Sequence, residues 1–193
     1  MENEITEKVE KKSRNWAKTI ASNLLYLVLI LVGVYLINTY VMVRTAVIGP
    51  SMSPALEADD FLIVDKLTYQ FRDPRRFEVI VFRYMDDATQ EQRHYIKRII
   101  GLPGETVQII EGVVYIDGRP LDEQYGAETI RQARRAAEEI LLGEDEYFVL
   151  GDNRNMSSDS RDANVGNVQK SKIVGRTFLR IWPLSRFGLL QHE

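Results

Sequence analysis

The chain contains no cysteine and only two histidines, His94 and His192, among its 193 residues. Without cysteine there is no thiolate nucleophile, no cysteine-ligated metal site and no disulfide. Two imidazoles far apart in sequence do not make a His-rich zinc site, so neither a metal nor a cofactor is expected. A positive excess is lacking as well. Lys and Arg total 25 against 28 Asp and Glu, and a net charge of −3 gives no general electrostatic footprint for nucleic acid. No internal repeat and no low-complexity linker is present. What remains is a chain that is 45% hydrophobic, long enough for one domain with attachments, and with its apolar residues unevenly placed.

They gather near the amino end. From Ile20 to Val43 there is no charged residue, and Leu24 to Ile37 is almost wholly apolar. At about 1.5 Å per residue such a run crosses a hydrocarbon layer of roughly 30 Å with some tilt. Asn23, Asn38 and Thr39 fall toward its ends, and Tyr26, Tyr35 and Tyr40 add amphipathic rings. A soluble core helix seldom stays apolar on every side over such a length. A cleavable signal peptide has an apolar region of only about 7–15 residues followed by a small-x-small site; here Val43-Arg-Thr-Ala-Val47 follows instead. The segment therefore reads as an uncleaved transmembrane anchor, residues 20–43. Lys11, Lys12, Arg14 and Lys18 precede it, whereas Arg44, Glu57, Asp59 and Asp60 are the first charges after it. That bias predicts a single-pass protein of the cell membrane, with residues 1–19 cytoplasmic and 44–193 extracytoplasmic.

Beyond residue 44, short alternating or all-apolar runs dominate. Strands are predicted at Phe61–Asp65, Phe77–Phe82, Tyr95–Ile100, Thr106–Ile110, Val113–Ile116, Tyr147–Leu150 and Val174–Ile181. Arg72-Asp-Pro74, Leu102-Pro-Gly104 and Asp117-Gly-Arg-Pro120 punctuate them, and Asp117-Gly118 after a strand predicts a hairpin. One stretch differs. Glu128–Leu142 places Ile130, Ala133, Ala137, Ile140 and Leu141 at helical spacing, with Arg131, Arg134, Arg135, Glu138 and Glu139 on a solvated face. The expected class is mainly β with one helical excursion.

Three segments carry the residue types of chemistry. In Ile48-Gly-Pro-Ser-Met-Ser-Pro-Ala-Leu56, Gly49, Pro50 and Pro54 hold Ser51 on a constrained bend. Most serines so flanked are ordinary surface turns, and a hydroxyl is a poor nucleophile without a base. His94 is a candidate base, but strand parity sets it on the other face from Lys97, and His192 lies one residue from the chain end. Lys97, in His94-Tyr-Ile-Lys-Arg-Ile-Ile100, is the other option, since burial lowers a lysine pKa and frees its lone pair. From that strand alone, a lysine reaching out to solvent is the more ordinary reading. The third segment, Gly151-Asp-Asn-Arg-Asn-Met-Ser-Ser-Asp-Ser-Arg161, follows an apolar strand and supplies hydroxyls, carboxylates and guanidiniums. Asn155-Met-Ser157 within it also matches a short, common glycosylation sequon.

Taken in order, Ser-Met-x-Pro after an apolar span, Tyr-Ile-Lys-Arg-Ile-Ile-Gly-Leu-Pro-Gly, and Gly-Asp-Asn-Arg-x-x-Ser-x-Asp-Ser-Arg resemble the bacterial type I signal peptidases. Asp65-Lys66, Val165-Gly166 and Ile181-Trp-Pro183 extend the resemblance over nearly the whole chain. It implies a membrane-bound serine endopeptidase that removes signal peptides from exported preproteins after small residues, Ala-x-Ala-like, by a Ser–Lys dyad. By position, Ser51 resembles the nucleophile, Lys97 the general base, and Ser157 the hydroxyl that orients the lysine. Asp159, Arg161 and Arg98 resemble the ion-pair scaffold, and Gly151, Asp152 and Asn153 structural members of the same motif. Met52, Leu56, Tyr95 and Ile96 fall where the family lines its substrate pockets. The implied fold is an antiparallel-β catalytic domain with a small inserted region, here residues 105–146. The implied partners are secretory preproteins, the lipid bilayer and the protein-export machinery, without nucleic acid. Two positions depart from common family patterns: Ala55 where threonine is frequent, and Gly49 where some members have a serine that assists the oxyanion hole.

Other Ser–Lys chemistries fit less well. A repressor-type self-cleaving protease carries a helical DNA-binding domain where this chain has its apolar span. A penicillin-recognising enzyme needs Ser-x-x-Lys, a spacing that does not occur in this sequence. A non-catalytic membrane-tethered module has no use for Ser51, Lys97 and Ser157 together.

Overall fold

The computed structural model describes residues 2–86, 89–126 and 128–190, with side chains from Trp16 onward except Ala17 and Asn38. His192 lies outside the described residues. The chain divides into two compact units, Met1–Val41 and Met42–Glu193.

The first unit is one helix, α1 (Glu2–Leu36), continued by a π-helical turn at Ile37–Val41. Within it, Lys18–Val41 is long and apolar enough to cross a membrane, and none of that window is buried. Its leucine, isoleucine and valine side chains, half or more exposed in many cases, have no protein core of their own to enter.

The second unit is built from strands. In chain order these are β1 (Met42–Ala46), β2 (Phe61–Asp65), β3 (Val79–Asp86), β4 (Glu91–Gly101), β5 (Thr106–Ile110), β6 (Val113–Ile116), β7 (Arg119–Pro120), β8 (Ile140–Leu141), β9 (Glu146–Leu150), β10 (Val168–Gln169), β11 (Ile173–Trp182) and β12 (Gly188–Leu189). Among the described residues they form two antiparallel sheets. One runs β1-β2-β11-β3-β4-β9-β10, with β12 beside β11; the other runs β7-β6-β5-β8. All seven strands predicted from alternation are present, some extended by a few residues. The turn joining β6 to β7 has Asp117 at φ 50° and Gly118 at φ 70°, the doubly left-handed geometry that makes Asp-Gly a hairpin signal.

Alternation sorts the core. On β3, Val79 and Val81 enter a cluster with Val47, Met52, Leu56, Leu62, Val64 and Ile96. Ile80 and Phe82 enter another with Ile99, Tyr147, Val149 and Val168 on the opposite face. A third cluster joins the two sheets through Ile100, Phe148 and Leu150 on one side and Val107, Ile109, Val114 and Ile116 on the other.

The helix expected over Glu128–Leu142 does not form. The stretch is irregular, with a 3-10 turn at Arg134–Ala137 and the two-residue β8. Its backbone donors are used elsewhere: Arg131 N–H on Asn155 Oδ1 (3.0 Å) and Arg135 N–H on the Arg161 carbonyl (3.3 Å). Of the expected stripe, Ile130 is buried in the core and Ala133 and Ile140 pack against it, while Ala136 and Leu142 enter in place of Ala137 and Leu141. Of the arginines that read as a solvated face, Arg131 is exposed and pairs with Glu128, whereas Arg134 and Arg135 reach for the loop after β9.

Candidate active site

Ser51 sits between a flexible point and an anchored one. Gly49 has φ +79°, a conformation that L side chains resist. After the serine, Met52 and Leu56 are fully buried, and the Leu56 N–H closes a turn onto the Met52 carbonyl at 2.9 Å. The Ser51 carbonyl accepts the Asn153 N–H at 3.1 Å, which ties this turn to the loop after β9.

Lys97 comes from β4, where it pairs with Ile80 of β3. Its Nζ lies 2.7 Å from Ser51 Oγ and also donates to the Ile96 carbonyl at 3.1 Å. The side chain is 5% exposed, and Nζ stands 5.3 Å from the centre of the Tyr95 ring. Burial strips the ammonium of hydration and pulls its pKa from 10.5 down to about 8, although the Asp159 and Asp152 charges act in the opposite direction. The solvent-seeking lysine, the more ordinary reading of the strand alone, is not what the fold produces.

The loop Gly151–Arg161 closes the site from behind. Arg98 forks onto Asp152, with Nε at 2.9 Å and Nη2 at 2.7 Å, both side chains buried. Its Nη1 donates to the Phe77 carbonyl, and the guanidinium lies 3.8 Å from the Tyr125 ring centre. Arg161 forks onto Asp159 at 2.8 and 2.9 Å, again fully buried. Asp159 also accepts the Gly151 N–H at 3.2 Å. A carboxylate so enclosed is satisfied by geometry of this quality and by little else. Ser157 is buried, and its Oγ has no hydrogen-bond partner among the described residues. An orphaned buried hydroxyl is uncommon in a folded chain.

In front of Ser51 lies a cleft of about 660 Å³, walled by residues 44–52 on one side, 93–97 on the other, and Ser158. Among the described pairings, β4 residues 98–101 bond to β9 while residues 91–97 bond to β3 alone. β1 is the end strand of its sheet. Met52, Tyr95 and Ile96 line the cleft, whereas Leu56 does not and belongs to the core behind Met52. Residues 44–50, Arg93, His94 and Ser158 were not singled out as cleft wall from sequence. A second cavity of about 700 Å³ is lined by Lys66, Tyr69, Arg83, Glu146, Lys170 and neighbours and includes neither Ser51 nor Lys97. Among the described residues no group of three His, Cys, Asp or Glu side chains is placed to hold a metal ion.

A desolvated amine in contact with a serine hydroxyl, beside open strand edges, is equipment for attack on a peptide carbonyl with transfer of its acyl group to the serine. Comparison with known proteins agrees. The family model for signal peptidase, peptidase S26, matches residues 15–182. A probable signal peptidase I-2 of Synechocystis sp. is 39% identical over 194 residues, covering 98% of this chain and 84% of that protein. A signal peptidase I of Leptolyngbya laminosa is 41% identical over 158 residues, covering 80% of this chain and 75% of that protein. The crystal structure of a signal peptidase I from Enterococcus faecalis matches with 32% identity and a TM-score of 0.43, covering 54% of this chain and 97% of that one. The chain belongs to the signal peptidase family, peptidase S26. It is a serine endopeptidase of the signal peptidase I type, a family whose reaction is cleavage of signal peptides from preproteins.

Proposed function

We propose that the protein is a membrane-bound signal peptidase I that cuts preproteins after small residues with Ser51 as nucleophile and Lys97 as general base. The observation that carries this reading is the 2.7 Å contact between Ser51 Oγ and a buried Lys97 Nζ. With the amine neutral, the Ser51 O–H donates to the Nζ lone pair. As Oγ attacks the scissile carbonyl carbon, the proton passes to Nζ and the carbonyl π pair moves to oxygen. The Ser51 backbone N–H stabilises that oxyanion, and no side chain at Gly49 adds a second donor. Collapse of the tetrahedral intermediate expels the amine of the mature protein, which takes the proton from Lys97. Water then gives a proton to Lys97 as its oxygen adds to the acyl carbon; Ser51 Oγ leaves, takes that proton back from Lys97 and frees the signal-peptide carboxyl group.

Ser157 is the hydroxyl that orients the amine toward Ser51 in this reading; its buried Oγ, without a partner among the described residues, is available for that bond. Asp152 with Arg98, Asp159 with Arg161, and the Gly151 and Asn153 backbone hold that arrangement. An extended peptide adds as a strand in the cleft between residues 44–52 and 93–97, which fixes its register by main-chain bonds. Shallow pockets over Met52, Tyr95 and Ile96 reject bulk more strongly than they attract a methyl group, hence an Ala-x-Ala-like preference.

Residues 20–43 are the single membrane anchor, with 1–19 in the cytoplasm, 44–193 outside and 105–146 an inserted subregion of the catalytic domain. Ser51 follows the span by eight residues, so chain connectivity alone keeps it within roughly 30 Å of the bilayer. Bilayer-held signal peptides and the export machinery that delivers them are thereby concentrated near the site. The test is processing, in lipid vesicles, of a preprotein with an Ala-x-Ala site. Ser51→Ala and Lys97→Arg each abolish cleavage; full processing by either variant refutes the dyad.

A further inference from the structure

The Ser51–Lys97 reading leaves one buried ion pair without a task. Arg154 is 3% exposed and forks onto Glu123, with both nitrogen–oxygen distances 2.6 Å. Glu123 lies between β7 and β8, outside every motif that the resemblance rests on.

The pair acts on one peptide group. Arg154 Nε–H donates to the Gly151 carbonyl at 3.2 Å, while the Gly151 N–H is held by Asp159 at 3.2 Å. Gly151 is thus gripped from both sides, by a guanidinium fixed by Glu123 and by a carboxylate fixed by Arg161. What Gly151 touches makes its position matter. A Cβ built there would stand 2.3 Å from the Ser51 carbonyl oxygen and 2.3 Å from Ser157 Oγ. Gly126 packs over Arg154, where a Cβ would meet the guanidinium carbon at 3.3 Å, so the guanidinium has little freedom to find another acceptor. Arg161 Nη2 also donates to the Arg154 carbonyl, which joins the two clamps.

We propose that Glu123 is a positioning residue for the Ser51–Lys97 site: through Arg154 it fixes the Gly151 peptide against which the Ser51 backbone and the Ser157 hydroxyl are packed. Glu123 does not line the cleft, so its loss moves the reacting groups and leaves peptide binding untouched. Misplacement of catalytic groups by about 1 Å from a remote change costs on the order of 10²-fold in rate. The same logic makes the segment between β7 and β9 a brace for the catalytic loop: Arg134 donates to the Ser157 carbonyl at 3.4 Å and Arg135 to the Ser160 carbonyl at 3.2 Å.

This inference rests on the dyad reading, and the experiment separates the two. Steady-state cleavage of an Ala-x-Ala preprotein is measured for the full-length protein, Glu123→Gln, Arg154→Lys, the double variant and Ser51→Ala. Glu123→Gln lowers kcat by roughly 10²-fold with KM within threefold of wild type. Arg154→Lys, which keeps the charge but loses the fork, does the same, and the double variant is no worse than the single ones because both act through one contact. A kcat within twofold of wild type for Glu123→Gln overturns the proposal. So does a loss carried by KM, or losses that multiply in the double variant. Should Glu123→Gln not fold, Arg154→Lys carries the same kcat-against-KM test alone. Cleavage by Ser51→Ala refutes the dyad itself, whatever the Glu123 variants do.

Discussion

A methyl group on Gly151 has nowhere to go. The obstacle is steric and mutual, because the Ser51 carbonyl is backbone and the Ser157 hydroxyl is itself buried. Gly151→Ala therefore pushes the serine turn away from the loop. It costs about 1–3 kcal/mol in stability, as overpacking does, and on the order of 10²-fold or more in kcat; thermal unfolding and preprotein cleavage read the two. Ser51 and Lys97 were legible in the sequence only as members of an ordered set of motifs. From its own strand Lys97 reads as solvent-seeking, because what buries its Nζ is Ser51, 46 residues upstream, and the loop after β9. No local pattern weighs a contact of that separation. The orphaned Ser157 hydroxyl and the grip of Glu123 on Arg154 are further facts of the fold.

Among the elements, β4 does two jobs along one length. Its end, Arg98 to Gly101, is paired with β9 and runs into the core, while the preceding residues 91–97 are paired with β3 alone and residues 93–97 face the cleft. Lys97 stands at the change-over, and Arg98 bolts the strand to Asp152. Asp152→Ala leaves the Arg98 guanidinium buried without its counter-charge and destabilises the protein by about 3–5 kcal/mol. The double replacement Arg98→Met with Asp152→Leu recovers most of that loss, since an apolar pair has no charge to desolvate. Urea unfolding distinguishes these outcomes, and a double variant as unstable as the single one contradicts the reading. Strands were the legible elements, because a two-residue period survives without tertiary context. The expected helix over Glu128–Leu142 fails for the complementary reason. Helical spacing is a weak preference, and the catalytic loop offers Arg131 and Arg135 backbone donors and arginine side chains better partners than an isolated short helix does.

At the scale of the whole molecule, the sequence's one long apolar run becomes a helix with no buried face, and everything after Met42 forms its own β-rich unit around three apolar clusters. The absence of cysteine and the sparseness of histidine leave few candidate bases for Ser51, and the ordered motifs single out Lys97 among them. His94 lines the cleft, yet Ser51 Oγ is hydrogen-bonded to Lys97. On the proposed dyad, the catalytic output of the molecule depends on one proton. Lys97 must be neutral to act, its pKa is lowered from 10.5 to about 8, and the neutral fraction falls about tenfold for each pH unit below that value. The most direct test is the pH dependence of kcat/KM for an Ala-x-Ala preprotein. The account predicts an acid limb of unit slope with a midpoint near pH 8; a rate that stays flat well into the acid range contradicts a lysine base.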